Sequence, residues 1–163
     1  MDLHGRYDVA PIINAAGTYT PLGVSRSSSY VAETVAEALG QFFVIDELQA
    51  RLSQTVSQMY GAEAAALTHC VAAGITLAVA ATMTGRDETK IAALPDAHGM
   101  ASRVVIPSAH VVNYGHPILT DIRLAGATPV QVGDREACDT EQLDAALAQI
   151  DRAFGKGSAM KLG

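Results

Sequence analysis

The chain has 163 residues and a formal net charge of −6 at pH 7, a size that corresponds to about one domain of ~150 residues with a core of its own. Charged residues make up only 17%, below the ~25% of ordinary soluble domains, as expected of a subunit that covers its exterior with partners or of a piece of a larger domain. The acidic balance offers no basic field for phosphate backbones or anionic lipid, which disfavours nucleic acid as a partner.

Near the start, Ile12 to Ala15 is a short apolar run. It leads into NAAGTYTPLGVSRSSS, a Gly/Thr/Ser-rich loop from Asn14 to Ser29 that carries Tyr19 and Leu22 among small residues. Loops beyond about 12–15 residues in compact domains tend to be functional or disordered. Val31, Val35 and Leu39 then recur at helical spacing before Gly40, which predicts a short amphipathic helix. A second helix follows, with Asp46 and Gln49 at capping-box spacing, Leu48, Leu52, Val56 and Met59 on one face, and Gly61 as the stop.

Ala64 to Thr68 reads as a buried strand, although alanine is a poor strand former. Cys70 to Thr84 reads as a helix apolar almost all round, ended by Gly85, and such a helix is buried on every side. The apolar stretch Ala64 to Met83 approaches the ~20 residues of a membrane span. It is alanine-rich, contains Thr68 and His69 and lacks flanking Lys/Arg or an aromatic belt, so it belongs in a protein core and no membrane is expected.

Thr89 to Leu94 and Arg103 to Ile106 are strand candidates closed by Pro95 and Pro107. Pro117 to Ala125 predicts a helix with Pro117 at its first position and Gly126 after it. Thr128 to Val132 is the next strand, and Asp139 with Gln142 repeats the capping-box pattern ahead of Leu143, Leu147 and Ile150. Alternating strands and helices predict an α/β fold with a mostly parallel sheet flanked by helices. The alternation stops at DRAFGKGSAMKLG, Asp151 to Gly163, which has no apolar run fit for a core strand. The chain therefore reads as the first part of a longer α/β domain. Cys70 and Cys138 form no CxxC, and MDLHGRYDVAP has no secretory pattern, so a reduced, cytoplasmic protein is expected.

The sharpest chemical feature is THCVAAG, Thr68 to Gly74, at the expected strand-to-helix junction. Unpaired amides and the positive dipole end of a helix attract anions, and small residues let a phosphate approach the backbone. His69, Cys70 and Val71 would supply those amides; a plain tight turn is the alternative. Neither a dinucleotide fingerprint nor a Walker loop is present. His110, at the end of a predicted strand, lies where α/β sheets place ligand-facing side chains. His116 and Tyr114 share its loop, but no third ligand accompanies His110 and His116, so no metal is expected. Cys70 reads as a small apolar residue rather than a nucleophile. Arg26, inside the long loop, is a candidate clamp for a carboxylate or phosphate.

Taken in order, INAAGTYTPLG (Ile13 to Gly23), FFVIDELQARLSQ (Phe42 to Gln54), YGAEAAALTHCVAAGITLAVAATMTG (Tyr60 to Gly85), LPDAHGM and AGATPVQVG (Ala125 to Gly133) resemble the pyridoxal-phosphate-dependent enzymes of aspartate-aminotransferase fold type I. Within these the chain is most similar to the selenocysteine-synthase-like group that includes D-glucosaminate-6-phosphate ammonia-lyases. The resemblance implies that His69, Cys70 and Val71 form the cofactor's phosphate turn and that His110 lies over the pyridine ring. It also implies that Asn14, Thr18, Ser25 and Arg26 lie near the substrate. The expected organisation is an N-terminal segment with a substrate-side loop (1–30), a partial large domain (31–150) and an atypical tail (151–163).

The family's Schiff-base lysine and the aspartate that pairs with the pyridine nitrogen fall later than this chain reaches. Lys90, Lys156 and Lys161 are in no matching context, so no catalytic lysine is assigned. The ending departs from the family's pattern in the manner of a truncated or frame-shifted chain, and the extra N-terminal tRNA-binding region of true selenocysteine synthases has no counterpart. The expectation is the amino-terminal portion of a lyase or transferase acting on an amino acid or amino sugar acid, inactive by itself and homo-oligomeric. The alternative is a non-catalytic α/β subunit or interaction module.

Overall fold

The computed structural model describes residues 2–158. The chain divides after Ala65 into two compact units. In the first, α1 (Leu3–Tyr7) starts where the Asp2 carboxylate accepts the His4 amide, and it ends at Asp8 in the left-handed region. The long loop contains a single 3-10 turn at Thr20–Leu22. The Ser28 hydroxyl caps α2 (Ser29–Ala38). The longer α3 (Ile45–Tyr60) ends at Gly61, whose φ of 66° is the conformation glycine supplies cheaply.

Both expected helices of this unit form, but the Asp46 capping box does not. Val44 takes the cap position of α3 without a side-chain bond, and Asp46 lies within the first turn, where its charge still faces the positive end of the helix. Among the described residues this unit has no fully buried side chain, and Ile13 and Phe42 are completely exposed.

The second unit holds the core. It contains α4 (Val71–Thr84), α5 (Glu88–Ala93), β1 (Arg103–Pro107), α6 (Ile118–Leu124), β2 (Thr128–Val132) and α7 (Thr140–Phe154). Strands β1 and β2 are parallel neighbours, in register from Arg103 opposite Thr128 to Pro107 opposite Val132. The connection through α6 is the βαβ crossover that parallel pairing requires. Val79 and Met83 of α4 meet Leu119 and Ile122 of α6, with Ala125 and Ala127 completing the buried cluster. On α7, the Arg103 guanidinium of β1 lies 3.3 Å from the Phe154 ring centroid, and the Asp139–Gln142 capping box forms with both of its hydrogen bonds.

The α/β class with a small parallel sheet is as expected, while four local readings change. Ala64 to Thr68 is irregular backbone rather than a strand, since an alanine-rich segment gains little from pleated packing and the described sheet consists of β1 and β2 paired with each other. Thr89 to Leu94 is helical, within and just after α5. Asp87 accepts from the amides of Thr89 and Lys90, and this cap together with Ala92 and Ala93 outweighs the β-branched Thr89 and Ile91. The helix α4 is not buried all round: Val71 is 72% and Leu77 58% exposed. Pro117 stands at the cap of α6 rather than inside it. No helix among the described residues is long and apolar enough to cross a membrane.

Candidate functional site

Two sets of candidate residues occur, one in each unit. In the first unit, the loop following α1 folds around an open cleft of about 1030 Å³ lined by Asn14, Ser25 and Arg26 together with His4, Ile13 and Leu22. No carboxylate lines it, so Arg26 gives the cleft a positive character. Thr18 is exposed and does not line it. The Asn14 side chain is already committed to its own turn: Oδ1 accepts the Ala16 amide at 2.9 Å and Nδ2 donates to the Gly17 carbonyl at 2.7 Å. It shapes the cleft rather than offering free polar atoms to a ligand. Tyr19 and Val24 exchange two backbone hydrogen bonds across the 3-10 turn, and this holds Val24 at φ 70°, an uncommon conformation for a β-branched residue.

In the second unit the site begins at α4. Cys70 is extended, with φ −157° and ψ 167°, and occupies the cap position. Its Sγ accepts the Ala73 amide at 3.4 Å, a weak cap compared with a hydroxyl or carboxylate. The first helical amides are therefore those of Val71, Ala72 and Ala73, and His69 precedes the cap. No acidic residue lies in the first turn. Small side chains follow, and Gly74 is needed for contact: a Cβ there would stand 3.2 Å from Thr68 Oγ1. That hydroxyl donates to the Cys70 carbonyl at 3.1 Å, which fixes the approach to the helix.

At the carboxyl end of β1 the chain turns through a 3-10 segment, Ser108–His110. Ser108 Oγ donates to the Gly133 carbonyl just past β2, at 2.9 Å, and so joins the ends of the two strands. His110 is exposed at this edge. Farther along the same loop, His116 Nε2 lies 2.6 Å from Asp121 Oδ1 on α6. Asp121 is 1% exposed and its neighbourhood escaped the sequence reading. The available signal was an acid placed among Leu119, Ile122 and Ala125 on the apolar side of a short helix. His110 and His116 belong to no cluster of three metal-binding side chains among the described residues.

No protein-family profile matches the chain. It is 38% identical over 153 residues to D-glucosaminate-6-phosphate ammonia lyase of Salmonella typhimurium (strain 14028s / SGSC 2262), a match covering 94% of this chain and 42% of that protein. The solved structure of D-glucosaminate-6-phosphate ammonia-lyase matches with a TM-score of 0.85 at 38% identity, over 90% of this chain and 40% of that one. Over nearly its whole length the chain is similar to D-glucosaminate-6-phosphate ammonia-lyase. It spans about two fifths of the length of these relatives.

A more distant likeness, 29% identity over 126 residues, is to 5'-C-glycyluridine monooxygenase-decarboxylase of Streptomyces sp, covering 77% of this chain and 32% of that protein. A short stretch of 41 residues is 56% identical to RecA of Paracoccus denitrificans, 24% of this chain and 12% of that protein. The ammonia-lyase likeness extends over nearly the whole chain.

Proposed function

We infer that this chain forms the phosphate-binding and substrate-side part of a pyridoxal-phosphate-dependent lyase acting on an amino acid or amino sugar acid. The observation that carries this reading is the start of α4. It offers extended backbone at Cys70, the first-turn amides of Val71 and Ala72, small residues and no competing acid, in a chain 38% identical to an ammonia lyase. These features suit a phosphate monoester. When bound, the cofactor supplies an electron sink for a carbanion next to the amino group.

The chain's own residues act by binding and positioning. The amides of Val71 and Ala72 with the α4 dipole hold the phosphate, while Cys70 contributes its backbone more than its thiol. His110, at the carboxyl edge of β1, would hold the ring. Arg26, with Ser25 beside it, receives an anionic group of the substrate in bidentate fashion; Thr18 stays a candidate contact on the same loop.

No lysine among the described residues suits the covalent link. Lys90 is in α5, Lys156 follows α7, and Lys161 lies outside the described residues. The chain by itself is proposed to bind the cofactor without a covalent bond and to be catalytically inactive, working as a homo-oligomer in the cytoplasm. Borohydride reduction after incubation with pyridoxal phosphate, followed by peptide mapping, tests this. The expected result is scattered, substoichiometric labelling, and one stoichiometric pyridoxyl-lysine would overturn it.

The exposed apolar residues of the first unit, Ile13 and Phe42 among them, favour a second reading, a non-catalytic α/β subunit whose surface is covered by partners.

A further inference from the structure

We propose that Val24 is a positioning residue for the cleft of the first unit. The left-handed turn centred on it sets Ser25 and Arg26 on the cleft wall, where they meet a phosphate or carboxylate group. This task rests on the role of Arg26 proposed above.

The turn is of a rare kind. The Ser25 amide donates to the Gly23 carbonyl at 2.9 Å, a hydrogen bond that closes a three-residue γ-turn around Val24. With φ of 70° at its centre, this is the strained form, whereas the common inverse form makes the same bond with φ at about −75°. The two forms are near mirror images, so they send the following residues to opposite sides of the turn. The sense of the turn therefore decides where the chain carries Arg26.

Valine is poorly suited to this sense. Gly23 before it takes φ 78° at little cost, but a β-branched residue in the same region is strained. Burial does not offset the strain, since Val24 is 46% exposed. Backbone bonds hold it instead. Tyr19 and Val24 each donate an amide to the other's carbonyl at 3.1 Å, the Tyr19 carbonyl also accepts the Leu22 amide at 3.0 Å, and the Gly23 amide donates to the Thr20 carbonyl at 3.0 Å. Strain kept by a surface loop without burial points to a use for the conformation it maintains.

That use lies in the next two residues. Leu22, Val24, Ser25 and Arg26 all line the cleft, and no carboxylate does, so the turn brings an apolar wall and a guanidinium to the same space. An arginine delivered by a fixed turn loses less freedom on capturing an anion than one on a loose loop.

Inorganic phosphate is titrated into the full chain while residue-resolved nuclear magnetic resonance follows the Arg26 Nε–H and the Ser25 amide, so that binding at α4 is read separately. Val24→Pro fixes φ at about −65° and removes the amide bonded to Tyr19. It is expected to weaken phosphate binding at Arg26 severalfold, as Arg26→Gln does, with the amide signals of α2 and α3 unmoved. Val24→Gly takes the left-handed turn without strain and is expected to bind at least as tightly as the parent. Unchanged affinity in Val24→Pro, or weaker binding by Val24→Gly, alongside a loss in Arg26→Gln overturns the proposal and leaves the role of Arg26 standing. No loss in Arg26→Gln overturns that role and the proposal with it.

Should Val24→Pro disturb α2 or α3, the unaltered chain decides. A positive φ at Val24 in the phosphate-bound chain, read from the close approach of its amide and α protons, supports the proposal. A negative φ there, with Arg26 still responding to phosphate, refutes it.

Discussion

The Thr76 hydroxyl of α4 donates to the backbone carbonyl of Asp121 in α6 across 2.9 Å. This is a side-chain tie between the helix whose start is the candidate phosphate site and the helix that carries the buried Asp121. Thr76→Val keeps the shape and removes the donor. A loss of about 1 kcal/mol in stability is expected, rising towards about 3 if the carbonyl is left without a partner, and urea titration of the two proteins measures it.

Gly126 and Pro95 approach more closely than any side chain allows. Gly126 has φ 90°, and a Cβ there would lie 2.9 Å from the Pro95 carbonyl carbon and closer still to its oxygen. Gly126→Ala is expected to cost about 2–5 kcal/mol, combining the left-handed conformation with overpacking against backbone. Gly157→Ala is the control: its φ is 84° but nothing lies within 4 Å, so only the conformational part, about 1–2 kcal/mol, is expected. Thermal melts rank the two.

Asp134 organises the turn from β2 towards α7. Its Oδ1 accepts the amides of Glu136 and Ala137, each at 2.8 Å, and these bonds, with Ala137 the larger influence, hold its pKa below the ordinary 3.8. A lowered folded pKa means that the turn's contribution to stability is present above the unfolded value and disappears as pH falls through the folded one. Amide signals of Glu136 and Ala137 are therefore expected to persist through pH 3.8 and to move only at lower pH. Asp134→Ala removes that acid transition. Transitions centred at or above 3.8 in the parent chain would contradict it.

Cys70→Asp separates the stability of α4 from its affinity for anions. Aspartate is a much better cap than cysteine and faces the positive end of the helix, so stability rises by about 0.5–2 kcal/mol. The same carboxylate repels a phosphate at the first turn, so binding of a phosphate monoester falls. Cys70→Ala changes binding little. A melt together with a titration of each variant checks the opposite signs. Equal losses of binding for Ala and Asp would assign the thiol itself as ligand.

The legible parts of this chain were those decided within a turn or two of sequence. Gly61 and Gly85 stop their helices, Asp139 and Gln142 form their box, and the β-branched runs at Val104 and Val130 pair as parallel strands. Asp46 matched the box spacing equally well, yet the helix began two residues earlier, with Val44 at the cap, because spacing alone does not choose between neighbouring starts. The segment at Ile91 was misread because its cap, Asp87, lies ahead of the apolar run. Local pattern began α4 at Cys70, one residue before its first helical residue Val71, and put His110 at the strand end. It did not reveal the Asp121 carboxylate, whose meaning depends on burial and on His116 arriving from another part of the chain.

Val71→Pro offers the most direct measurement of phosphate binding by the α4 backbone. Val71 is the first helical residue, and Cys70 before it is extended, so proline fits both positions and removes one amide while leaving the helix intact. Pyridoxine 5′-phosphate and pyridoxine, which carry no aldehyde to label lysines, are titrated by calorimetry into the parent chain and the variant. The expected result is binding of the phosphate ester in clear preference to pyridoxine. Val71→Pro should then lose tenfold or more, the loss of one hydrogen bond to a charged group at about 1.5–3 kcal/mol. Equal affinity for the two compounds, or unchanged binding of the ester by Val71→Pro at unchanged helix content, would contradict a backbone phosphate site at α4.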